Sequence, residues 1–498
     1  MSANLMLHPD ALRERAAATP DKAAVRVANT DRVTTYAELD ARADRVAKLF
    51  QSRGVAEGST VALLLENEPA VLDIWWGARR AGLYYVPLSS RLHPDELDHI
   101  VRDSGANTLI ASTSLVDRVG TGRTLVLDDE FDALLREMEE RTLEPRSRVG
   151  RELIYSSGTT GQPKGVKREL AFTSDVLALP ALEQRIRTLF EFDAETIYLS
   201  VSPLYHATGR FAMRITEMGG TVVILPKFDP AAALAAIEAH RVTHSQWVPT
   251  MFSRLLALPK EVRARHDLSS HQVALHAAAP CPEAVKRAMI AWWGPIVHEY
   301  YGGTENAGVT FIRADEWLAR PGSVGRPIWG DIHILAEDGS ERELPTGEIG
   351  LIYFAGGVPF TYLHDDGPSV SGEGYTTYGD IGHVDEGGYL FVSDRRSDLI
   401  ISGGVNIYPK EVELVLDAHP AIRESAVIGV PDPEYGQRVH AVVCSDATPE
   451  GLEPALLSYC RERLSGFKCP RGISIVDELP RNETGKLLKR VLRERFGS

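Results

Sequence analysis

Hydrophobic and polar positions follow two periods along this chain. Over residues 36–53, Leu39, Ala43, Val46, Ala47 and Phe50 recur on one face of a helix, and Gly54 supplies the stop. Short apolar runs then alternate with amphipathic stretches. Residues 60–65, 84–88 and 107–111 read as strands, and 69–80 and 94–104 as helices. Strands that are apolar on both faces belong in a parallel sheet covered by helices on both sides. The alternation returns at 221–225, 230–240, 244–248 and 250–257, which predicts two α/β subdomains in series. The charged segment 128–148 reads as a surface connection leading to the next strand. From 322 to 357, glycine, proline and short β patterns mark a small β-rich subdomain. A last block from about 399 shows a helix at 410–417, strands at 425–430 and 439–444, a helix at 453–464 and a strand at 473–476.

The expected fold class is therefore α/β. A large N-terminal domain of two α/β subdomains plus a small β-rich subdomain, residues 1–396, precedes a small mobile α+β C-terminal domain, 398–498, with a hinge near 394–398. At 498 residues one core is too few. The net charge of -15 argues against nucleic acid as a partner, so any bound polyanion requires locally gathered positive charge. No apolar run approaches the roughly 20 residues of a membrane helix, so no integral membrane contact is expected. The four cysteines form no metal-ligand spacing and read as reduced thiols of a cytoplasmic protein, monomer or homodimer.

Candidate chemistry begins at residues 155–166. Ser156, Ser157, Gly158, Thr159, Thr160, Gly161 and Lys164 follow an apolar run. Glycines let backbone N–H groups crowd an anion, hydroxyls add donors, and a lysine suits phosphate. The spacing is not that of the common P-loop, and the bland alternative is a flexible Ser/Gly linker. In 298–305, Thr304 could bind a phosphate oxygen and Glu305 is a hard oxygen ligand for Mg²⁺, although a strand end with a turn would look the same. Asp380, after a glycine turn, could accept from both ribose hydroxyls or be a plain β-turn aspartate. The polar run 393–398 suits a hinge. Lys486, preceded by Gly485, is either a mobile catalytic charge or solvated surface, and His206, after Tyr205, is either a gate or structural.

Taken together and in order, these segments resemble the adenylate-forming superfamily, whose members include acyl-CoA synthetases, aryl-CoA ligases, luciferases and adenylation domains. Ser-Ser-Gly-Thr-Thr-Gly-x-Pro-Lys-Gly looks like its phosphate loop, and 300–305 like its Tyr-Gly-x-Thr-Glu segment. Residues 376–382 look like its ribose motif, with Tyr378 where many members carry Thr, and 480–486 like its catalytic-lysine motif. The resemblance implies ATP, Mg²⁺ and coenzyme A. It places Ala278, Ala279, Pro280, Glu299, Tyr300, Tyr301 and Gly302 near the nucleotide, with adenine stacked on Tyr300 or Tyr301. It also puts Thr304 on phosphate, Glu305 on magnesium, and Asp380 and Arg395 on the ribose. Ser397 stands at the pivot where members usually carry Asp or Lys, and Gly403 and Gly404 would line a thiol tunnel after rotation. His206 would gate the thiol, with Glu305 as its partner in the closed arrangement, and Lys486 would act between carboxylate and α-phosphate.

The acyl pocket is expected among Tyr205, His206, Phe211, Ala277, Gly302, Gly303 and Gly308, which suits a bulky apolar acid: fatty, aryl, alicyclic or steroid-like. Arg210 either reads a second carboxylate or is salt-bridged. The implied function is an ATP-dependent carboxylate–CoA ligase that acts through an acyl-adenylate. Its rivals are an acyl-AMP ligase or an enzyme loading a carrier-protein thiol, and a non-catalytic ATP-binding sensor.

Overall fold

The computed structural model describes residues 10–92, 94–119, 123–156, 163–174, 181–206, 209–364, 370–395, 398–402, 405–432, 435–449, 451–464, 466–481 and 487–497. The chain forms two compact units, one of residues 1–306, 313–318 and 358–368, the other of 307–312, 319–357 and 369–498.

The first unit holds two largely parallel sheets. In one, Arg123–Leu127, Thr108–Ser112, Thr60–Leu64, Tyr84–Pro87 and Arg151–Glu152 lie side by side in that order, all parallel. Ala62, Leu64, Val86, Leu109 and Ala111 pack with Leu97, Ile100 and Val101 of the helix Pro94–Asp103. The other sheet runs Val297–Gly302, Val273–His276, His244–Trp247, Ile197–Ser200, Thr221–Ile224 and Ala23–Val27, parallel throughout, with Val33–Thr35 antiparallel at its edge. The first strand of the chain thus pairs with residues two hundred positions away, and the two sheets are not simply consecutive. No local pattern encodes such a pairing.

Segment 128–148 is more than a connection. Its first part is the helix Asp129–Glu137, capped by the Asp128 carboxylate, which accepts from the amides of Glu130 and Phe131. Phe131 and Leu135 are buried, so the charges decorate the outer face of an amphipathic helix.

In the second unit, the β-rich part extends well past 357. Asp331–Leu335, Gly350–Ala355, Thr376–Val384, Leu390–Arg395, Ser323–Trp329 and Val309–Ile312 form one antiparallel run. The C-terminal part is a hairpin of Ile422–Asp432 and Gly436–Ser445, with Gly472–Val476 added in parallel. Alternate residues face opposite ways: Val427, Ala441 and Val443 pack with Val412 and Leu416, while Ala426, Ile428 and Val442 pack with Leu479 and Leu492. Among the described residues no helix is long and apolar enough to cross a membrane, and all four cysteines are free thiols.

The helix Tyr36–Ser52 opens on a capping box, in which Thr35 and Glu38 each bond the other's backbone amide. It packs on the helix Ala70–Arg80 so tightly that a Cβ on Gly77 would lie 2.5 Å from Val46 Cγ1 and 3.0 Å from the Ala43 carbonyl. Gly77→Ala is therefore expected to destabilise the first unit by about 1–3 kcal/mol, as overpacking of a dense core does. Urea unfolding checks this.

Candidate active site

The strands Ile154–Ser156 and Lys164–Lys167 form an antiparallel pair with Ser156 opposite Lys164. Residues Ser157, Gly158, Thr159, Thr160 and Gly161, between them, lie outside the described residues, as does the Ser156 side chain. Lys164 is described, and it meets a partner that the sequence did not flag. Its Nζ lies 5.5 Å from the ring centre of Tyr362, on the short strand Thr361–Tyr362, which pairs with Lys164–Lys167. The Tyr362 hydroxyl donates to Glu305 Oε1 at 3.3 Å. The expected phosphate cation and the expected metal ligand thus flank a single phenol. A second unflagged residue, Arg168, is buried and donates through Nη2 to the Thr304 carbonyl at 2.6 Å. Among the described residues no group of three His, Cys, Asp or Glu could hold a metal. A single carboxylate such as Glu305 nonetheless fits magnesium, which keeps most of its shell for water and substrate phosphates.

Positive charge gathers around Glu152, two residues before the strand Ile154–Ser156. Glu152 ends the strand Arg151–Glu152, and Arg210 Nε lies 3.2 Å from its Oε1. Burial pushes the Glu152 carboxyl up, but Arg210, Arg151 and Arg168 outweigh it and hold the pKa at about 2. Three guanidiniums around one carboxylate leave net positive charge, as an expected polyanion site in an acidic chain requires. Arg210 is salt-bridged within the protein, the second of its two readings.

The expected adenine shelf follows the strand Val273–His276. Ala277 is buried, and Ala278 has φ 74°, a left-handed conformation that costs an alanine roughly 1 kcal/mol or more. Such strain persists where surrounding contacts demand it. Ala279 and Pro280 continue the segment. On Val297–Gly302, successive side chains face opposite sides, so Tyr300 and Tyr301 part ways. Tyr300 packs against Phe190 and Phe211, with ring centres 5.7 and 6.1 Å away, and its hydroxyl accepts from Gln246 Nε2. Burial pushes that phenol up to about 12. Phe211 is itself buried against Phe190, Phe192 and Tyr198. Tyr300 thus belongs to the aromatic wall, which leaves Tyr301 as the stacking candidate. Gly302 and Gly303 lead on to Thr304 and Glu305.

The Glu299 carboxylate accepts from Lys286 Nζ at 2.5 Å and is nearly sealed from solvent. His206 packs edge-on to Tyr205, ring centres 4.6 Å apart, and burial together with Arg91 lowers its pKa to about 4. Its imidazole is neutral near pH 7, so any gating works through shape and hydrogen bonding. Glu305, its expected partner in the closed arrangement, accepts from the Tyr362 hydroxyl.

In the second unit, Asp380 is buried on Thr376–Val384 and stands opposite Arg395 in register. Tyr378, the departure from the ribose motif, clamps Gly308: its hydroxyl donates to the Gly308 carbonyl at 2.8 Å and accepts from the Gly308 amide at 3.1 Å. A Cβ at Gly308 would lie 2.0 Å from the Phe354 ring, so this glycine is required by packing as well. The side chain of Arg395, and Ser397, Gly403, Gly404 and Lys486, lie outside the described residues. Their flanks are described. Asp398 pairs with Arg493 at 2.5 Å, and Leu487 forms a bridge with Arg481.

The AMP-binding enzyme family matches residues 12–361 and the AMP-binding enzyme C-terminal domain matches 411–486. Feruloyl-CoA synthase from Amycolatopsis sp is 36% identical over 97% of this chain and 98% of its own. The long-chain-fatty-acid–CoA ligase FadD13 of Mycobacterium tuberculosis is 30% identical over 98% of both. The o-succinylbenzoate CoA synthetase MenE of Bacillus subtilis, solved with its acyl-adenylate intermediate, superposes with a TM-score of 0.83 at 29% identity, covering 97% of this chain and 98% of that one.

The Glu152 cluster generates a prediction. Glu152→Gln leaves the half-buried Arg210 without its counter-charge and is expected to destabilise the first unit by about 1–3 kcal/mol. Because the folded carboxyl titrates near 2 and its ordinary value is 4.5, the stabilisation is full above 4.5 and vanishes as pH falls toward 2. Denaturant unfolding of both proteins across that range should show the gap closing toward acid.

Proposed function

The chain belongs to the AMP-binding enzyme family and is an AMP-forming carboxylate–CoA ligase; from that premise we propose that its acid is bulky and apolar, with an aryl acid of the ferulate type foremost. The observation that supports the aryl reading is the cluster of Phe190, Phe192, Phe211, Tyr198 and Tyr300, with polar contacts from Gln246 and Arg214. Flat aromatic walls, with the Gln246 amide and the Arg214 guanidinium over Phe211 as polar neighbours, suit a ring better than a flexible chain. A fatty acid is the second reading, favoured by the full-length likeness to FadD13.

A carboxylate is unreactive toward thiols because oxide is a hopeless leaving group. One carboxylate oxygen attacks the α-phosphorus of ATP and pyrophosphate departs; the thiol sulfur of coenzyme A then attacks the acyl carbon and AMP departs. For the first step the protein must hold the acid near attack distance and offset growing negative charge. We assign pyrophosphate to Ser157, Thr159, Thr160 and Lys164, the adenine face to Tyr301 beside Ala278 and Ala279, and the ribose to Asp380 and Arg395. Glu305 would hold a magnesium ion, which supplies charge neutralisation at the phosphates. Lys486 supplies the charge between carboxylate and α-phosphate. For thiolysis, residues 398–498 would turn about Ser397 so that Gly403 and Gly404 line the thiol path. Free thiols suit a reducing, cytoplasmic setting.

Two measurements test this reading. Pyrophosphate release over a panel of aryl, alicyclic and fatty acids should be highest with hydroxycinnamates. AMP release should then require free CoA, since turnover only with a carrier protein would replace the CoA reading. Lys486→Ala should lower acid-dependent pyrophosphate release by at least about 10²–10³-fold, the loss typical of one donor to a developing charge. Thiolysis of pre-formed acyl-AMP should survive in that variant, and equal loss of both steps would count against the assignment.

A further inference from the structure

His276 and Glu299 are register partners on the parallel strands Val273–His276 and Val297–Gly302. Each directly precedes a site segment, residues 277–280 in one case and 300–305 in the other. Beneath this point sits Lys286, fully buried on the helix Glu283–Trp293. Its Nζ donates to Glu299 Oε2 at 2.5 Å, and His276 Nε2 lies 3.6 Å from the same oxygen. The Trp317 ring closes the far side, its centre 4.6 Å from the ammonium. Burial, reinforced by Lys286, keeps His276 uncharged, while burial raises the Glu299 pKa against the pull of Lys286.

Desolvating two such charges costs several kcal/mol per ion, and an apolar pair would join helix to sheet at least as stably. What the ion pair adds is direction: a short charge-assisted hydrogen bond tolerates little displacement of its partners. Glu299 shares a strand face with Tyr301, and beyond that strand come Thr304 and Glu305. We propose that Lys286 is a positioning residue which, by fixing Glu299 against His276, sets where residues 300–305 leave the sheet and so where Tyr301, Thr304 and Glu305 meet the nucleotide. This rests on the AMP-forming reading above. It assigns to Lys286–Glu299 a role in nucleotide placement beyond stability.

The test uses the full chain with Lys286→Met, Lys286→Arg and the double variant Lys286→Met/Glu299→Leu, reading Tm, AMP affinity by calorimetry, and acid-dependent ATP–pyrophosphate exchange. Lys286→Met should lower Tm and cut exchange about 10²-fold, the scale of an ångström-sized misplacement. KM for ATP should rise while KM for the acid stays near wild type. Lys286→Arg, which keeps the charge, should recover part of the ATP affinity. The double variant is decisive: Tm should recover because no charge is left unpaired, yet AMP affinity and KM for ATP should stay impaired. Wild-type AMP affinity in the double variant, an unchanged KM for ATP in Lys286→Met, or failure of both variants to fold would each overturn the proposal. Wild-type protein that binds AMP but exchanges with no acid would instead sink the ligase reading, and AMP affinity alone would then still decide the role of Lys286.

Discussion

Parallel pairing dictates where chemistry can occur in the first unit. In a parallel sheet every strand presents its carboxyl end on the same edge, and the connections leaving that edge lie side by side. The His206 segment leaves Ile197–Ser200, the alanine shelf leaves Val273–His276, and the Tyr-Gly-x-Thr-Glu segment leaves Val297–Gly302. These strands, with His244–Trp247 among them, are consecutive neighbours. Residues a hundred positions apart are gathered by hydrogen-bond register alone. Everything that aims them, from the strained Ala278 to the Lys286–Glu299 pair, acts at or just below that edge.

Charge is the second constraint. A protein with net charge -15 repels ATP on average, so its binding site must be an exception to its surface. Near the candidate site, cations are held by partly buried pairs. Arg151, Arg168 and Arg210 surround Glu152, while Lys164 stands over Tyr362, whose hydroxyl reaches Glu305. Burial makes each pair sensitive to the loss of either member. It also explains why carboxylates sit among so many cations. Unrelieved, three clustered guanidiniums would oppose folding.

The motifs were legible because their chemistry is local. A glycine- and hydroxyl-rich run ending in lysine suggests a polyanion wherever it occurs, and the period of 3.6 marks the helix Tyr36–Ser52 without reference to its neighbours. The structure changed the meaning of residues whose partners are distant. Tyr300 became part of an aromatic wall because Phe190 and Phe211 reach it from other elements. Glu299 became an interior anion because Lys286 comes from a helix beside it, and Tyr378 became a clamp because Gly308 lies seventy residues away. Tyr362 and Arg168 carried no signal at all. An isolated tyrosine in a polar stretch and an arginine after a strand are ordinary until their contacts are known.

By itself the sequence determined the alternating α/β order, the β-rich stretch and closing α+β block, and the ordered set of segments that tie the chain to AMP-forming ligases. These follow from periodicity and short-range chemistry, which depend on neighbours a few residues apart. Only the tertiary structure decided that the strand Ala23–Val27 belongs to the sheet of Thr221–Ile224, that the Asp129–Glu137 stretch is a helix, and that Arg210 answers to Glu152. Nor could anything short of it separate the two tyrosines of the 300–305 segment. Sheet register, burial and the sign of a neighbouring charge are relations between distant parts of the chain, and folding alone brings those parts within bonding distance.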